Sequence, residues 1–152
     1  MYVRSVILVS LLFSVGSAYE CPGVASVAVS IKNSTAVFSG EVISEEYRDV
    51  KKDSVGEARE AKALFIKLKV KRWWKGNRDE EVELYTSVRK YADGTTSVMA
   101  EDFLFQKGES YLVYAYGPAE RLRTDGCQRT RKLADAEKDL SELGEGTVPE
   151  KK

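Results

Sequence analysis

The sequence predicts a mainly β domain, a curled antiparallel sheet or small barrel of about five short strands with a helix at each end. Two observations carry this. Leu64, Ile66, Leu68 and Val70 alternate with Lys67, Lys69 and Lys71, the period-two pattern of a strand wet on one face. Helical spacing occurs only near the two ends, at Val24, Val27, Ala28 and Ile31 and again at Leu133, Ala136, Leu140 and Leu143.

Taken in order, Pro22 opens the first helix and Asn33 ends it. Ala36 to Ser44 reads as a strand with Ala36, Phe38, Gly40 and Val42 on one face. Residues 45–60 are charged without a sustained apolar pattern and read as an exposed loop or the frayed ends of a hairpin. Ala63 to Lys71 is the clearest strand, closed by RWWKG and the Gly76-Asn77 turn signal. Glu81 to Val88 alternates again, with Val82 and Leu84 inward. Tyr91 to Ser97 is a loop around Asp93-Gly94, and Phe103 and Phe105 precede a turn at Lys107-Gly108. Ser110 to Tyr116 is strongly β-prone, Gly117-Pro118 breaks it, and Glu120 to Thr124 forms a last short strand. The second helix stops at Gly144, and residues 145–152 read as a polar disordered tail.

Residues 1–18 read as a secretory signal. Arg4 is the positive n-region, Val6 to Val15 the apolar stretch, and Gly16-Ser17-Ala18 the small-residue cleavage site. A ten-residue apolar run is half of the about 20 needed to cross a bilayer. The expectation is a secreted, extracellular protein, or a periplasmic one in a bacterium, free of the membrane once cleaved. Removing the signal leaves 23 Lys and Arg against 24 Asp and Glu, which is no footprint for nucleic acid. In an oxidising space Cys21 and Cys127 are expected to pair, two free thiols being the alternative. The bond would close a loop of more than about 100 residues, and the chain-entropy model assigns such a loop ~4–5 kcal/mol. Asn33-Ser34-Thr35 is a glycosylation acceptor triplet at Asn33.

The sequence has no histidine, which removes the triads built on it, the commonest zinc ligand and the usual general base. No glycine-rich phosphate loop occurs. The carboxylate groups Glu45-Glu46, Asp79-Glu80-Glu81 and Glu101-Asp102 sit in charged, turn-like sequence where solvated surface is the default. The expectation is a protein that is not an enzyme, with no cofactor and no metal of its own. Lys67, Lys69, Lys71, Arg72 and Lys75, beside Trp73 and Trp74, could track single-stranded nucleic acid on a barrel. The neutral balance and the signal favour reading them as the wet face of a half-buried strand.

Several segments in a fixed order resemble the tissue inhibitor of metalloproteinases family. They are Cys21 just after a signal, a short helix, AVFSGEVIS, RWWKG, FLFQKGESYLVYA and DGCQRTRKLADAEKDL. The closest likeness is to its single-domain relatives, which share the netrin-like module, and it spans roughly 21–143 within an expected domain of 19–144. The resemblance implies an OB-fold, a five-stranded Greek-key barrel with flanking helices. It also implies a mechanism. The mature N-terminal amine and first carbonyl oxygen chelate a target protease's zinc, the second side chain enters the adjoining pocket, and a nearby loop completes the wedge.

On this sequence the implied protease-contact wedge is Tyr19, Glu20, Cys21 and Pro22 together with Ser97, Val98 and Met99. The chain departs from the family's Cys-x-Cys start. Tyr19 stands where the first cysteine would be, and Met99 stands where that cysteine's partner would be. Cys21 and Cys127 match the retained pair, so both halves of one disulfide are absent together. The expected partner is a zinc metalloprotease or another extracellular protein. The alternative function is a non-inhibitory netrin-like binding module that uses another face of the barrel.

Overall fold

A computed structural model describes residues 23–49 and 61–151. Among them it contains helix α1 (Val27–Asn33), strands β1 (Ala36–Asp49), β2 (Ala61–Lys75), β3 (Glu81–Tyr91), β4 (Thr96–Ser97), β5 (Ser110–Ala115) and β6 (Arg131–Lys132), and helix α2 (Glu137–Leu143). The strands form one antiparallel sheet in the order β4-β3-β2-β1-β5-β6.

β1 is the centre of the sheet. Its first six residues pair with β5 on one side while Val37 to Asp49 pairs with β2 on the other. Three register shifts between β1 and β2, at Val37/Phe38, Ser39/Gly40 and Val42/Ser44, bend the strand and curl the sheet. The bend presses the two backbones together at Gly40. A Cβ there would stand 2.9 Å from the Lys69 carbonyl oxygen and 3.3 Å from the Leu68 Cβ. Gly40→Ala is therefore expected to cost about 1–3 kcal/mol, read as a lower urea midpoint with an unchanged slope. An unchanged midpoint would mean that the two strands separate freely there.

Curling gives the sheet two covered faces. Inside lie Phe38, Val42, Ile66, Leu68, Val70, Trp73, Val82, Leu84, Tyr111, Val113 and Leu122, with Phe103 and Phe105 packed against them. Of the expected inward faces, Ala36, Phe38, Val42, Ile66, Leu68, Val70, Val82 and Leu84 are in this core and Leu64 packs against it half-buried. On the opposite face Val37, Leu112 and Tyr114 are roofed by Ala136 and by Ile31, Trp74, Leu133, Leu140 and Leu143. β5 is buried on both faces, which is why its sequence SYLVYA is a continuous apolar and aromatic run. The sheet edge of β3 is met by the Leu122 carbonyl, which accepts from the Tyr85 amide at 2.8 Å.

The structure corrects several expectations. Among the described residues there are six strands rather than five, because Thr96–Ser97 and Arg131–Lys132 add two-residue strands too short to show a period. Glu120 to Thr124 is not a strand. Ala119–Arg121 is a 3₁₀ turn started by Pro118, and only a single bridge, Tyr116 to Arg123, follows. Of the two readings of the charged stretch from 45, the hairpin is the one seen as far as Asp49, where it is the outer arm of β1 paired down to Lys62; residues 50–60 lie outside the described residues. α1 starts a turn later than expected, capped by Ser26, so Val24 and Ala28 are exposed and Val27 and Ser30 face inward. The helical spacing from Leu133 spans a 3₁₀ turn, Leu133–Asp135, before α2, and Gly144 does cap the helix.

The 145–152 segment is not a loose tail as far as it is described. Thr147 exchanges backbone hydrogen bonds of 2.8 and 2.7 Å with Trp73, and Glu150 is held through its amide and carboxylate by Arg78. Among the described residues no helix is long and apolar enough to cross a membrane.

Candidate functional site

Two loops meet at one end of the sheet, and each is held by an aspartate. After β4 the chain turns through Val98–Asp102. The Asp102 carboxylate accepts from the Met99 amide at 2.7 Å and from the Ser87 hydroxyl of β3, and the Asp102 amide donates to the Met99 carbonyl at 3.1 Å. The second loop runs from 125 to 128. The Asp125 carboxylate accepts from the Cys127 and Gln128 amides at 2.9 and 3.0 Å and from the Tyr116 hydroxyl at 2.9 Å. This is a carboxylate closing its own turn, the local bonding that suits aspartate to turns. Burial first, then the Asp125 carboxylate, pushes the Tyr116 phenol up to about 12, so it remains a donor at any ordinary pH.

One bond joins the loops: the Gly126 amide donates to the Glu101 carbonyl at 2.6 Å. The turn bearing Cys127 thus meets, at Glu101, the loop that carries Val98 and Met99. Val98 and Met99 are 49% and 53% exposed there, two of the few large apolar side chains so open to solvent. Ser97 is in β4, paired with Arg89. Tyr19, Glu20, Cys21 and Pro22, and with Cys21 its expected pairing to Cys127, lie outside the described residues. Among the described residues there is no free cysteine.

A third element fixes where the chain enters α1. Asp139 of α2 is 0% exposed and takes bonds from Arg129 at 2.8 and 2.5 Å and from the Tyr114 hydroxyl at 3.0 Å. Arg129 spends a further N–H on the Ala25 carbonyl at 2.7 Å. Burial works against the Asp139 carboxylate, but the bonds from Arg129 and Tyr114 and the charges of Arg131 and Arg129 outweigh it. The carboxyl ends below its ordinary 3.8. Residue Ala25, before α1, is thereby tied to Asp139 of α2 through one half-buried guanidinium.

The sequence reading singled out Ser97, Val98, Met99 and Cys127; Val98 and Met99 lie on one of the two loops joined through Glu101 and Gly126, Cys127 on the other, and Ser97 in β4 just before. It read Asp102 as solvated surface and gave no role to Asp125, Gly126, Arg129 and Asp139, which hold them. The Asp125-Gly126 dipeptide is a turn signal that could have been used. Asp139 has no such signal, being one acid among several in a charged helix.

The other sequence candidates are dispersed or spent. Lys67 pairs with Glu81 at 2.7 Å and Lys71 with Glu41 at 3.4 Å, while Lys75 donates to the Ile31 and Lys32 carbonyls. The bond and charge of Glu81 raise the Lys67 pKa, as expected for an ammonium held by a carboxylate. Trp73 is in the interior and Trp74 under the helices, so neither is a stacking platform. Asn33 is exposed at the last turn of α1. Among the described residues no three histidine, cysteine, aspartate or glutamate side chains converge to hold a metal. No family model matches the chain, and no curated protein matches its sequence.

Proposed function

We propose that the chain is an exported protein like the tissue inhibitors of metalloproteinases, which blocks zinc metalloproteases with the N-terminus left after signal cleavage. The observation that carries this reading is the bond between Gly126 and Glu101, which sets the Cys127 turn beside the open Val98-Met99 segment. A Cys21–Cys127 disulfide would hold the two Cα atoms about 5–6 Å apart. Tyr19 is two residues further on, a reach of at most about 7 Å. The free amine would then stand next to the Val98-Met99 ridge, the arrangement a wedge requires.

The fold belongs to the same proposal. β1 lies between β2 and β5, and the chain after β5 returns to β3 through the Tyr85–Leu122 bond. That closure supports an OB-fold barrel whose fifth strand is reduced to the stretch around Leu122–Thr124.

Chelation needs a neutral amine, and an α-amino group titrating at about 7.7–8.0 supplies one at mildly alkaline pH. Asp102 and Asp125 preorganise the loop half of the wedge, which lowers the ordering cost on binding. The test starts from secreted protein whose intact mass confirms Tyr19 as the first residue and one disulfide. It is titrated against a panel of zinc metalloproteases beside an N-acetylated sample. Inhibition abolished by acetylation, and weakened at least about tenfold by Met99→Asp, is the expected result, since an unpaired charge would be buried in the contact. Folded protein with the correct start that inhibits no member of the panel would overturn the reading.

A further inference from the structure

The end of the sheet where β1 stops and β2 begins carries a constellation that the wedge does not use. One transverse row crosses four strands there: Asp49 is paired with Lys62, Lys62 with Lys90, and Lys90 with Thr96. Residues directly opposite in antiparallel strands share a face, so these four side chains stand on one side of the sheet. Tyr47, two residues before Asp49 on β1, stands on the same side. Tyr91 comes from the neighbouring row, opposite Ala61. Tyr47, Asp49, Lys62, Lys90 and Tyr91 line a cavity of about 360 Å³, inside the size range of small-ligand pockets. Ala61 and Ala92 complete the wall with side chains too short to fill it.

Two features set this cavity apart from an ordinary wet face. The first is electrostatic. Further along the same two strands the cross-strand partners are opposite in sign, Lys67 facing Glu83 and Lys69 facing Glu81. At the cavity Lys62 and Lys90 instead set two ammonium groups directly opposite each other, an arrangement that destabilises a strand pair. The one carboxylate of the lining, Asp49, lies 4.0 Å from the Lys62 Nζ with its side chain 88% exposed, a screened pair that contributes little. Lys90 pairs with no carboxylate among the described residues; its Nζ lies 5.5 Å from the centre of the Tyr47 ring. That contact engages the charge and leaves all three N–H donors for an acceptor. The second feature is aromatic. Tyr47 and Tyr91, both half-buried, add two apolar rings and two phenol donors to the same lining.

We infer that this cavity is a binding site for a small ligand that carries one anionic group on a flat apolar ring. The anionic group bridges the ammonium groups of Lys62 and Lys90 by charge-assisted hydrogen bonds, which relieves their opposition. The ring lies against Tyr47 and Tyr91, where it is shielded from water. Two ammonium groups repel a metal ion, and an uncharged ring forgoes the strongest contacts on offer. None of these residues belongs to the proposed wedge, so the site stands if that reading fails.

The test titrates the full secreted chain with anilinonaphthalene sulfonate, an anion on a flat ring, and follows the fluorescence of the dye. A dissociation constant below about 100 μM is expected, which a ligand of about 20 heavy atoms reaches at ordinary efficiency. Uncharged phenylnaphthylamine keeps the rings without the sulfonate and should bind at least about tenfold more weakly. Lys62→Thr with Lys90→Thr should weaken the sulfonate by at least about tenfold. A control of equal charge change, Lys69→Thr with Lys107→Thr at exposed positions outside the lining, should leave affinity within about twofold. The urea midpoint of the cavity variant, expected at or above that of the parent because an opposed pair of like charges is gone, confirms that it folds. No saturable binding of the sulfonate, equal binding of the uncharged probe, binding untouched by the cavity substitutions, or an equal loss in the lysine control would each overturn the site.

Discussion

Replacing Asp139 by alanine is expected to lower the unfolding free energy by about 3–5 kcal/mol, one of the two largest losses from a single side chain in this protein. The argument is one of stranded partners. Asp139 is buried, and its two oxygens accept from the Arg129 guanidinium and the Tyr114 hydroxyl, with the Arg131 guanidinium 3.8 Å away. Removing the carboxylate leaves a largely buried cation and a buried hydroxyl without their acceptor, and breaking such a pair from one side costs in this range. Replacing both partners by apolar residues, as in Arg129→Met with Asp139→Leu, should cost far less, because no charge is then left behind. Urea unfolding of the two variants decides it. A loss below about 1 kcal/mol for Asp139→Ala would mean that water reaches the guanidinium freely.

The same network sets a pH window. The Asp139 carboxyl is depressed below 3.8 in the folded state, so its contribution is complete above the unfolded value and is lost as pH falls through the folded one. Burial and the Asp139 charge raise the Tyr114 phenol above 10.0, so its contribution is complete below that value and is lost as pH rises through the folded one. The stability difference between the parent protein and Asp139→Ala should therefore be flat through neutral pH and shrink below about pH 4. Because Arg129 also holds the Ala25 carbonyl, the alanine variant should loosen the segment next to Cys21 as well. Faster amide exchange in residues 23–30 would report it, and under the proposed function a weaker inhibitor would result.

How far the sequence exposes this fold depends on whether a strand has a wet side. β2 shows its inward face, Leu64, Ile66, Leu68 and Val70, because lysines mark the other face, and β3 does the same with Val82 and Leu84. β1 is legible only where it is buried. Beyond Val42 it carries charged side chains such as Glu46 and Arg48, which pair with each other along the strand and, from Arg48, with Glu83 of β3, and such a stretch looks in sequence like a charged loop. β4 and β6 are two residues each and carry no period at all. At the candidate site the exposed members were legible through a resemblance in segment order. The carboxylates behind them were not, since Asp102, Asp125 and Asp139 differ from solvated acids only in what the fold brings to them.

Trp73→Ala is the second large loss, expected at about 3–5 kcal/mol from the cavity it would leave. Trp73 is 2% exposed and its ring lies 5.0 Å from that of Phe38, at the point where β1 and β2 shift register. Its Nε1 donates to the Asp79 carbonyl at 2.9 Å, fixing the turn into β3, and its backbone bridges Thr147. Gly76 closes over the ring at φ 129°, a backbone conformation side chains rarely adopt, and a Cβ there would come within 2.5 Å of the indole. Two mechanisms can therefore be separated by a cycle. Trp73→Phe keeps most of the apolar filling but strands the Asp79 carbonyl, so it should cost less than the alanine variant. Gly76→Ala alone suffers both the φ strain and the clash. In the Trp73→Ala background the clash disappears and only the strain remains, so the second substitution should cost markedly less there than in the parent. Strictly additive losses, read from urea midpoints of the three variants, would show that the indole and Gly76 are not in the contact described. The backbone bonds to Thr147 do not require the indole. Protection of the Thr147 amide should therefore fall only with global stability in Trp73→Ala, and earlier loss of that protection would mean that the ring itself holds the C-terminal segment in place.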